Sequence, residues 1–243
     1  MRRYTWLFLS IGLVFSLVGC GGSGNGNGGS GGSGSGGSGG SGTMVTVTGT
    51  VAAAALEGEA TALGGATVSV VGTSNTATSG PDGSFSIMAP VGTMMFQATA
   101  EGHWGSLFAE NVPEAGLTDL EVEVLPDALV STVASIFETT ADESKGLVAV
   151  FFDEDTTSGD ESASLSATSE LSFIFDADDE PVEGDTLCGE AGCGSDVIFI
   201  NTDVGAVTAT ALNASSQPCP LEYPSASYSV QAKMFTEIDV YCP

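Results

Sequence analysis

The pattern of hydrophobic and polar positions changes at Met44, and from there it is typical of β-strands. Val47 and Val51 alternate with threonine and glycine, and Phe85 and Ile87 alternate with serine. Short alternating runs of β-branched and aromatic residues, separated by turn residues, are typical of half-buried strands. The chain from residue 44 onward is therefore predicted to be all-β, with strands packed face to face in β-sandwiches.

One stretch near the middle of the chain has helical spacing instead. Its apolar residues fall three or four positions apart, which places them on one face of a helix. They are Leu129, Val130, Val133, Ile136 and Phe137. Asp127 precedes them and is the expected N-cap. We predict a short connecting helix between two sandwiches.

Residues 44–125 carry an ordered series of motifs. They are Val47-Thr48-Gly49-Thr50-Val51, Gly65-Ala66-Thr67-Val68-Ser69-Val70, Asp82-Gly83-Ser84-Phe85 and Pro90-Val91-Gly92. In order and residue type they resemble the carboxypeptidase regulatory-like family. That resemblance implies a transthyretin-like (prealbumin-like), Ig-like β-sandwich in a superfamily that includes carbohydrate-binding-like folds. The name of this family describes an accessory domain, and the resemblance does not extend to a peptidase domain.

Residues 126–243 are interpreted as a diverged second copy of this β-sandwich. Phe235-Thr236-Glu237-Ile238-Asp239-Val240 repeats the pattern of Leu117-Thr118-Asp119-Leu120-Glu121-Val122. Compared with the first copy, the second has an acidic, cysteine-containing insertion between Phe175 and Ile198. The predicted organisation is thus a first sandwich over 44–125 and a second over 126–243.

The first 19 residues are interpreted as a signal peptide. Arg2 and Arg3 form its basic segment, and an apolar run follows from Trp6 to Val18. Leu17-Val18-Gly19-Cys20 resembles the lipobox of bacterial lipoproteins, which implies cleavage before Cys20 and acylation of Cys20, with palmitate as one of its acyl chains. No Asp follows Cys20, so nothing resembles an inner-membrane retention signal, and the outer membrane or cell surface is the expected location.

Residues 20–43 join the predicted lipid anchor to the first sandwich. From 21 to 42 they are only Gly, Ser and Asn. Such a composition has no apolar surface to bury and predicts a flexible linker with a root-mean-square reach of about 25 Å.

Charge excludes one class of partner. The chain has 31 Asp and Glu against 4 Lys and Arg, a formal net charge of −27. Binding to nucleic acid needs clustered Lys and Arg to contact phosphates, so no nucleic-acid partner is expected. Docking onto anionic lipid headgroups through basic residues is excluded for the same reason. The expected contact with the membrane is the lipid anchor alone.

No catalytic residue is predicted. His103 is the only histidine, so the sequence cannot supply the histidine pair of a zinc site or of the iron dioxygenases that share the transthyretin-like architecture. His103 also stands where the family places a packing aromatic. A hydrolase using two carboxylates stays open as an alternative, because acids are abundant throughout the chain.

A calcium site is the one candidate for a cofactor. The insertion between Phe175 and Ile198 contains four weak candidate ligands, and Ca²⁺ binds six to eight oxygen atoms. They are Asp176, Asp178, Asp179 and Glu180. The spacing of these acids is not that of an EF-hand. The favoured interpretation is an acidic loop exposed to solvent.

Four cysteines besides Cys20 are available for disulfides in an exported protein, and three pairings are open. Cys188 and Cys193 are close enough to close a local loop, which leaves Cys219 to pair with Cys242. A four-cysteine zinc site is the rival, but the sequence has no C-x-x-C pair to build it from.

The leading hypothesis is a non-enzymatic, lipid-anchored cell-envelope protein that displays β-sandwich modules for structural or binding roles. The first alternative is a calcium-assisted binder of a glycan or protein through the 176–196 insertion. The second is the carboxylate-pair hydrolase.

Overall fold

The computed structural model describes residues 42–55, 59–152, 160–178, 180–189 and 193–242. The predicted signal peptide, Cys20 and residues 20–41 of the predicted linker lie outside these ranges. Asp179 of the candidate calcium loop also lies outside them.

The described residues form eighteen strands and one helix, which confirms the all-β class and the short connecting helix. The first module contains β1 (Met44–Ala53), β2 (Thr61–Ala62), β3 (Thr67–Val70), β4 (Thr76–Thr78), β5 (Ser84–Pro90), β6 (Gly92–Thr99), β7 (His103–Val112) and β8 (Leu117–Pro126). Helix α1 (Asp127–Ile136) follows. The second module contains β9 (Gly146–Phe152), β10 (Ser162–Leu165), β11 (Leu171–Phe175), β12 (Pro181–Glu183), β13 (Asp196–Thr202), β14 (Gly205–Ala206), β15 (Ala209–Leu212), β16 (Pro218–Cys219), β17 (Ser229–Val230) and β18 (Met234–Val240).

The first module is a two-layer sandwich. In one layer β1 lies between β5, which is antiparallel to it, and β8, which is parallel to it. In the other layer the order is β4-β3-β6-β7. The alternating apolar residues of both layers meet between them, among them Val47, Val51, Val68, Phe96 and Val122. The period-two pattern of the sequence thus directs one side of each strand into a shared core.

A single sheet runs from the first module into the second. Its strands follow one another as β12-β11-β13-β9-β18-β7-β6-β3-β4. The C-terminal strand β18 is parallel to both of its neighbours, and Phe235 lies opposite Leu147 on one side and Ser106 on the other. A Cβ atom at Gly105 would overlap Ala98 O and the Met234 sulfur, so glycine permits this close approach. The two modules are joined by a shared strand as well as by the connecting helix.

The sheet of the second module is covered on both faces. Every residue of β13 is buried, and so is every residue of β9 except Phe151. One face packs against the small sheets β10-β15-β16 and β14-β17. The other face packs against α1 and Trp104. Because both faces of β9 and β13 are buried, their sequences are nearly continuous apolar runs and do not alternate between apolar and polar residues.

Helix α1 begins one residue earlier than its predicted cap implies. Pro126 occupies the N-cap position without a side-chain hydrogen bond, and Asp127 is the first helical residue. The prediction that Asp127 is the N-cap is therefore wrong. Pro126 already has the non-helical backbone of an N-cap, with φ −53° and ψ 139°, so the helix starts at Asp127. The Asp127 carboxylate pairs with Lys233, whose ammonium donates to Oδ2 at 3.0 Å.

The outer edge of the first module is closed against strand pairing. Asn75 Nδ2 donates to Met88 O at 2.8 Å, and Gly80 N donates to Ser84 O at 2.8 Å. Pro90 has no N–H group to offer. These three features block much of the edge of β5, as natural sheets do to avoid edge-to-edge aggregation.

We expect residues 44–125 to fold when produced alone, because the core between their two layers is built entirely from this segment. Trp104, which is 1% exposed, packs in the other core with Leu147 and Phe235. In the isolated segment its fluorescence should therefore shift to longer wavelength than in the chain from residue 21 onward, where it is the only tryptophan. A random-coil circular dichroism spectrum of the segment would show that the domain boundary is misplaced.

Candidate functional site

A polar cleft lies at one end of the second module. It is an open cleft of about 770 Å³ between the α1–β9 loop at 138–145, the loop at 168–170 and the end of β13 at 201–203. Apart from Ala141, its lining residues are all polar or charged. The walls carry five carboxylates and the ammonium of Lys145.

Asn201 holds the three walls of the cleft together. Its Nδ2 donates to Thr140 O at 2.9 Å and to Glu170 Oε2 at 2.6 Å. Its Oδ1 accepts from Asp142 N at 2.8 Å. The side chain is 6% exposed, and the backbone has a φ of 52°, a region in which asparagine is among the few tolerated residues. A buried amide with these three bonds fixes the framework of the cleft.

Several charged side chains of the cleft are held by hydrogen bonds from polar neighbours or by an ion pair. Thr139 Oγ1 donates to Glu170 Oε1 at 2.5 Å, and this bond together with that from Asn201 lowers the pKa of Glu170. Hydrogen bonds from Ser144 lower the pKa of Asp142. Lys145 pairs with Asp203, which raises the pKa of the lysine. Every shifted group is held more firmly in its charged form.

This electrostatic arrangement suits binding better than acid–base chemistry. A hydrolase that uses two carboxylates needs one of them protonated near neutral pH, with its pKa raised. The two cleft carboxyls with displaced pKa values, Asp142 and Glu170, are both displaced downward. A rigid, charged cleft of this kind can bind a polar ligand through hydrogen bonds.

His103 and the described candidate calcium ligands lie outside this cleft. His103 is the first residue of β7 and half-buried, and its Nδ1 lies 2.8 Å from Glu101 O. Three of the four candidate calcium ligands, Asp176, Asp178 and Glu180, lie between β11 and β12, and the fourth, Asp179, is outside the described residues. There Asp176 Oδ1 accepts from the backbone N–H groups of Asp178 and Glu180 at 2.9 and 3.0 Å.

The side chains of Asp178 and Glu180 are exposed. Within the described part of the chain, no three His, Cys, Asp or Glu side chains come together closely enough to hold a metal ion. Asp176 therefore stabilises the turn by accepting hydrogen bonds from the backbone of the turn itself. An acidic run in the sequence is equally compatible with such a turn and with a metal site.

Both disulfides that the sequence favours are present. Cys188 is bonded to Cys193, and Cys219 is bonded to Cys242. The first closes the loop before β13. The second attaches β16 to the end of β18 inside the core of the second module, where both cysteines are buried.

Two acids whose pKa values are strongly raised were missed by sequence reasoning. Asp196 at the start of β13 is 7% exposed, and burial raises its pKa to about 7. Glu123 on β8 has its pKa raised to about 7 by burial and by the neighbouring Glu121. Among the described residues no donor reaches Asp196 Oδ2 or Glu123 Oε2. The available signal for Asp196 was its position directly before the apolar run of β13.

The cleft also escaped prediction from the sequence. Its walls come from three segments about thirty residues apart, and threonine, serine, glutamate and aspartate are common surface residues. The only local signal was Asn201, a polar residue directly after the apolar run 197–200.

No protein-family model matches the chain, and no curated protein is significantly similar to it in sequence. Among solved structures, the Bacillus anthracis TIE protein is 13% identical with a TM-score of 0.27, over 82% of this chain and 34% of that one. This chain therefore spans about a third of the TIE protein. A variant of the shaft pilin SpaA from Lactobacillus rhamnosus GG is 13% identical with a TM-score of 0.28, over 82% and 98%. A DUF3823 family protein from Bacteroides ovatus is 12% identical with a TM-score of 0.27, over 82% and 99%.

These similarities are too low for an argument about function. The all-β architecture follows from the strands of the chain itself, and the resemblance to the carboxypeptidase regulatory-like family stays a prediction from the sequence. Among the described residues, no helix has the length and apolar character needed to cross a membrane.

Proposed function

We propose that this chain is a non-enzymatic, lipid-anchored protein of the cell envelope that displays two transthyretin-like modules as one rigid body. The observation that carries the structural part is the shared strand β18, which pairs with β9 of the second module and β7 of the first. A shared strand holds the two modules in a constant relation, which suits a spacer or display platform.

Side-chain contacts between the modules support the same role. Tyr223 in the second module donates its hydroxyl to Glu110 Oε1 on β7 at 3.1 Å. Ala109 and Met95 of the first module pack into the core of the second. Trp104 packs on the opposite face of the sheet. Apolar packing on both faces resists the hinge motion that a simple linker between domains would allow.

The bonding within the cleft supports a role without catalysis. Hydrogen bonds lower the pKa values of Asp142 and Glu170 and favour their charged forms, and Asp203 forms an ion pair with Lys145. An acid–base catalyst needs a group whose pKa is close to the working pH, and the shifted groups of the cleft are moved away from it.

The lipid anchor is tested by the Cys20→Ala variant. We expect this change to abolish membrane retention and palmitate labelling, because the thiol of Cys20 is the predicted attachment point and two or more acyl chains are needed for stable anchoring. Ser23→Ala, three residues away in the predicted linker, is the matched control and should stay in the membrane fraction. A Cys20→Ala protein that stays firmly in the membrane fraction would contradict the proposed lipid anchor.

A binding role is the second candidate function. The observation that favours it is the polar cleft whose three walls are joined by Asn201. A glycan array probed with and without EDTA separates this role from the calcium-assisted alternative. Binding that needs no metal and is lost in Asn201→Ala would place the ligand in the cleft. Binding that EDTA removes would instead support the calcium-assisted alternative, in which the ligand binds through the 176–196 insertion.

A further inference from the structure

Acidic residues are distributed very unevenly along the chain. Residues 42–100 contain three acids, Glu57, Glu59 and Asp82, whereas residues 101–243 contain 28 acids and two lysines. Strands β1 to β6 contain no charged residue at all.

The topology turns this difference along the sequence into a difference in space. Strands β3 and β4 end the long sheet on one side, and β11 and β12 end it on the other. With neighbouring strands about 4.8 Å apart, the nine strands on that path put these two edges about 40 Å apart.

One edge is poor in charge, and β5 of the facing layer lies beside it. We define this charge-poor edge by its exposed side chains, which are Thr67, Thr76, Thr78, Ser84, Ser86 and Met88. Two described acids lie on this side of the module: Asp82 in the β4–β5 turn, and Glu59 just before β2, which pairs with β1 on the same side as β5. We define the acidic edge by Asp176, Asp178, Glu180, Glu183 and Asp185, all on or beside the β11–β12 hairpin.

We propose that the charge-poor edge is the side of the protein that faces an anionic lipid bilayer when the chain is anchored through Cys20. This inference rests on the proposed lipid anchor. A negatively charged lipid surface repels carboxylates that come within a Debye length, about 8 Å at physiological ionic strength. Turning the acidic edge toward the bilayer brings the five carboxylates of that edge near this layer, whereas turning the charge-poor edge toward it brings fewer, Asp82 and Glu59.

The point at which the described chain begins agrees with this orientation. Thr43 O accepts a hydrogen bond from Val91 N, so the chain enters beside the β5–β6 turn. Met44, the first residue of β1, lies opposite Pro90. The predicted linker therefore reaches the fold beside β5, and the charge-poor edge can approach the membrane without the linker having to cross the molecule.

The orientation is measurable by energy transfer from a dye on the protein to acceptor-labelled lipids. The donor is attached at Ser86→Cys on the charge-poor edge or at Ala177→Cys on the acidic edge, two exposed positions, in the full lipidated chain. On vesicles containing phosphatidylglycerol we expect the ratio of transfer from position 86 to transfer from position 177 to be well above one. Raising NaCl from ~0.01 M to ~1 M shortens the Debye length from about 30 Å to about 3 Å and should move this ratio toward one.

A charge variant and its control test the cause. Thr76→Asp with Thr78→Asp adds two charges to the charge-poor edge and should lower the ratio. Thr210→Asp with Ser215→Asp adds the same charge at exposed positions away from that edge and should leave the ratio unchanged. Equal transfer from the two dye positions on anionic vesicles, or an equal response to both charge pairs, would overturn the proposal.

A second attachment separates this inference from the lipid anchor. A chain with a hexahistidine segment in place of Cys20, held on a nickel-chelating lipid, should show the same ratio and the same response to salt. If Cys20 carries no lipid in the native protein but this chain is oriented, only the anchor is wrong. If both attachments leave the molecule without preferred orientation, the orientation is wrong and the anchor is unaffected.

Discussion

The free energy of unfolding is expected to fall as the pH rises from about 4 to about 7, and Asp196 is the main single cause. Burial raises the pKa of this carboxyl from 3.8 to about 7 in the folded protein. Between these values the folded chain holds a proton that the unfolded chain has released. Stability therefore decreases with rising pH across this window, by on the order of 4 kcal/mol if Asp196 acts alone.

The variant Asp196→Asn isolates this effect. An amide does not ionise, so the variant should be more stable than the parent at about pH 8 and should lose most of the fall between about pH 5 and about pH 8. Asp178→Asn is the matched control, because it removes the same charge from an exposed turn residue. Urea denaturation at both pH values measures the difference, and an Asp196→Asn protein with the pH dependence of the parent would contradict the assignment.

Glu123 contributes in the same direction, because its pKa is also raised to about 7. Glu123→Gln should therefore reduce the remaining pH dependence. Its carboxyl lies on β8 of the first module and Asp196 lies on β13 of the second, so the two effects are expected to add.

Replacing Cys219 and Cys242 together by alanine is expected to lower the free energy of unfolding more than replacing Cys188 and Cys193 together. The chain-entropy model gives about 3.4 kcal/mol for the loop closed by Cys219–Cys242 and about 2.2 kcal/mol for the loop closed by Cys188–Cys193. The sequence separations are 23 and 5 residues. Burial of Cys219 and Cys242 adds to the difference, because their loss also disturbs the packing at the end of β18.

Denaturation of the two double variants measures this order directly. The first module contains no cysteine, so reductant should leave the isolated segment 44–125 unchanged and serves as an internal control. Peptide mapping without reduction checks the pairing. A larger loss of stability in the Cys188→Ala/Cys193→Ala protein would contradict the expected order.

Local chemistry explains why so many elements could be predicted from the sequence. Alternation at Val47, Val51, Phe85 and Ile87 predicts strands with one buried side, and β1 and β5 have this pattern of burial. The three- and four-residue spacing after Asp127 predicts a helix, and α1 occupies that stretch. These features depend only on side-chain direction within one element.

What the sequence by itself determined is therefore the all-β class, the strands that alternate, the connecting helix and the uneven distribution of acids. The tertiary structure alone decided that β18 joins both modules, that Asp127 pairs with Lys233, and that Asn201 joins the walls of the cleft. It also decided that Asp196 is buried while Asp178 is exposed. Each of these depends on segments far apart in the chain meeting in space, and the residues on one segment do not specify which other segment will contact them.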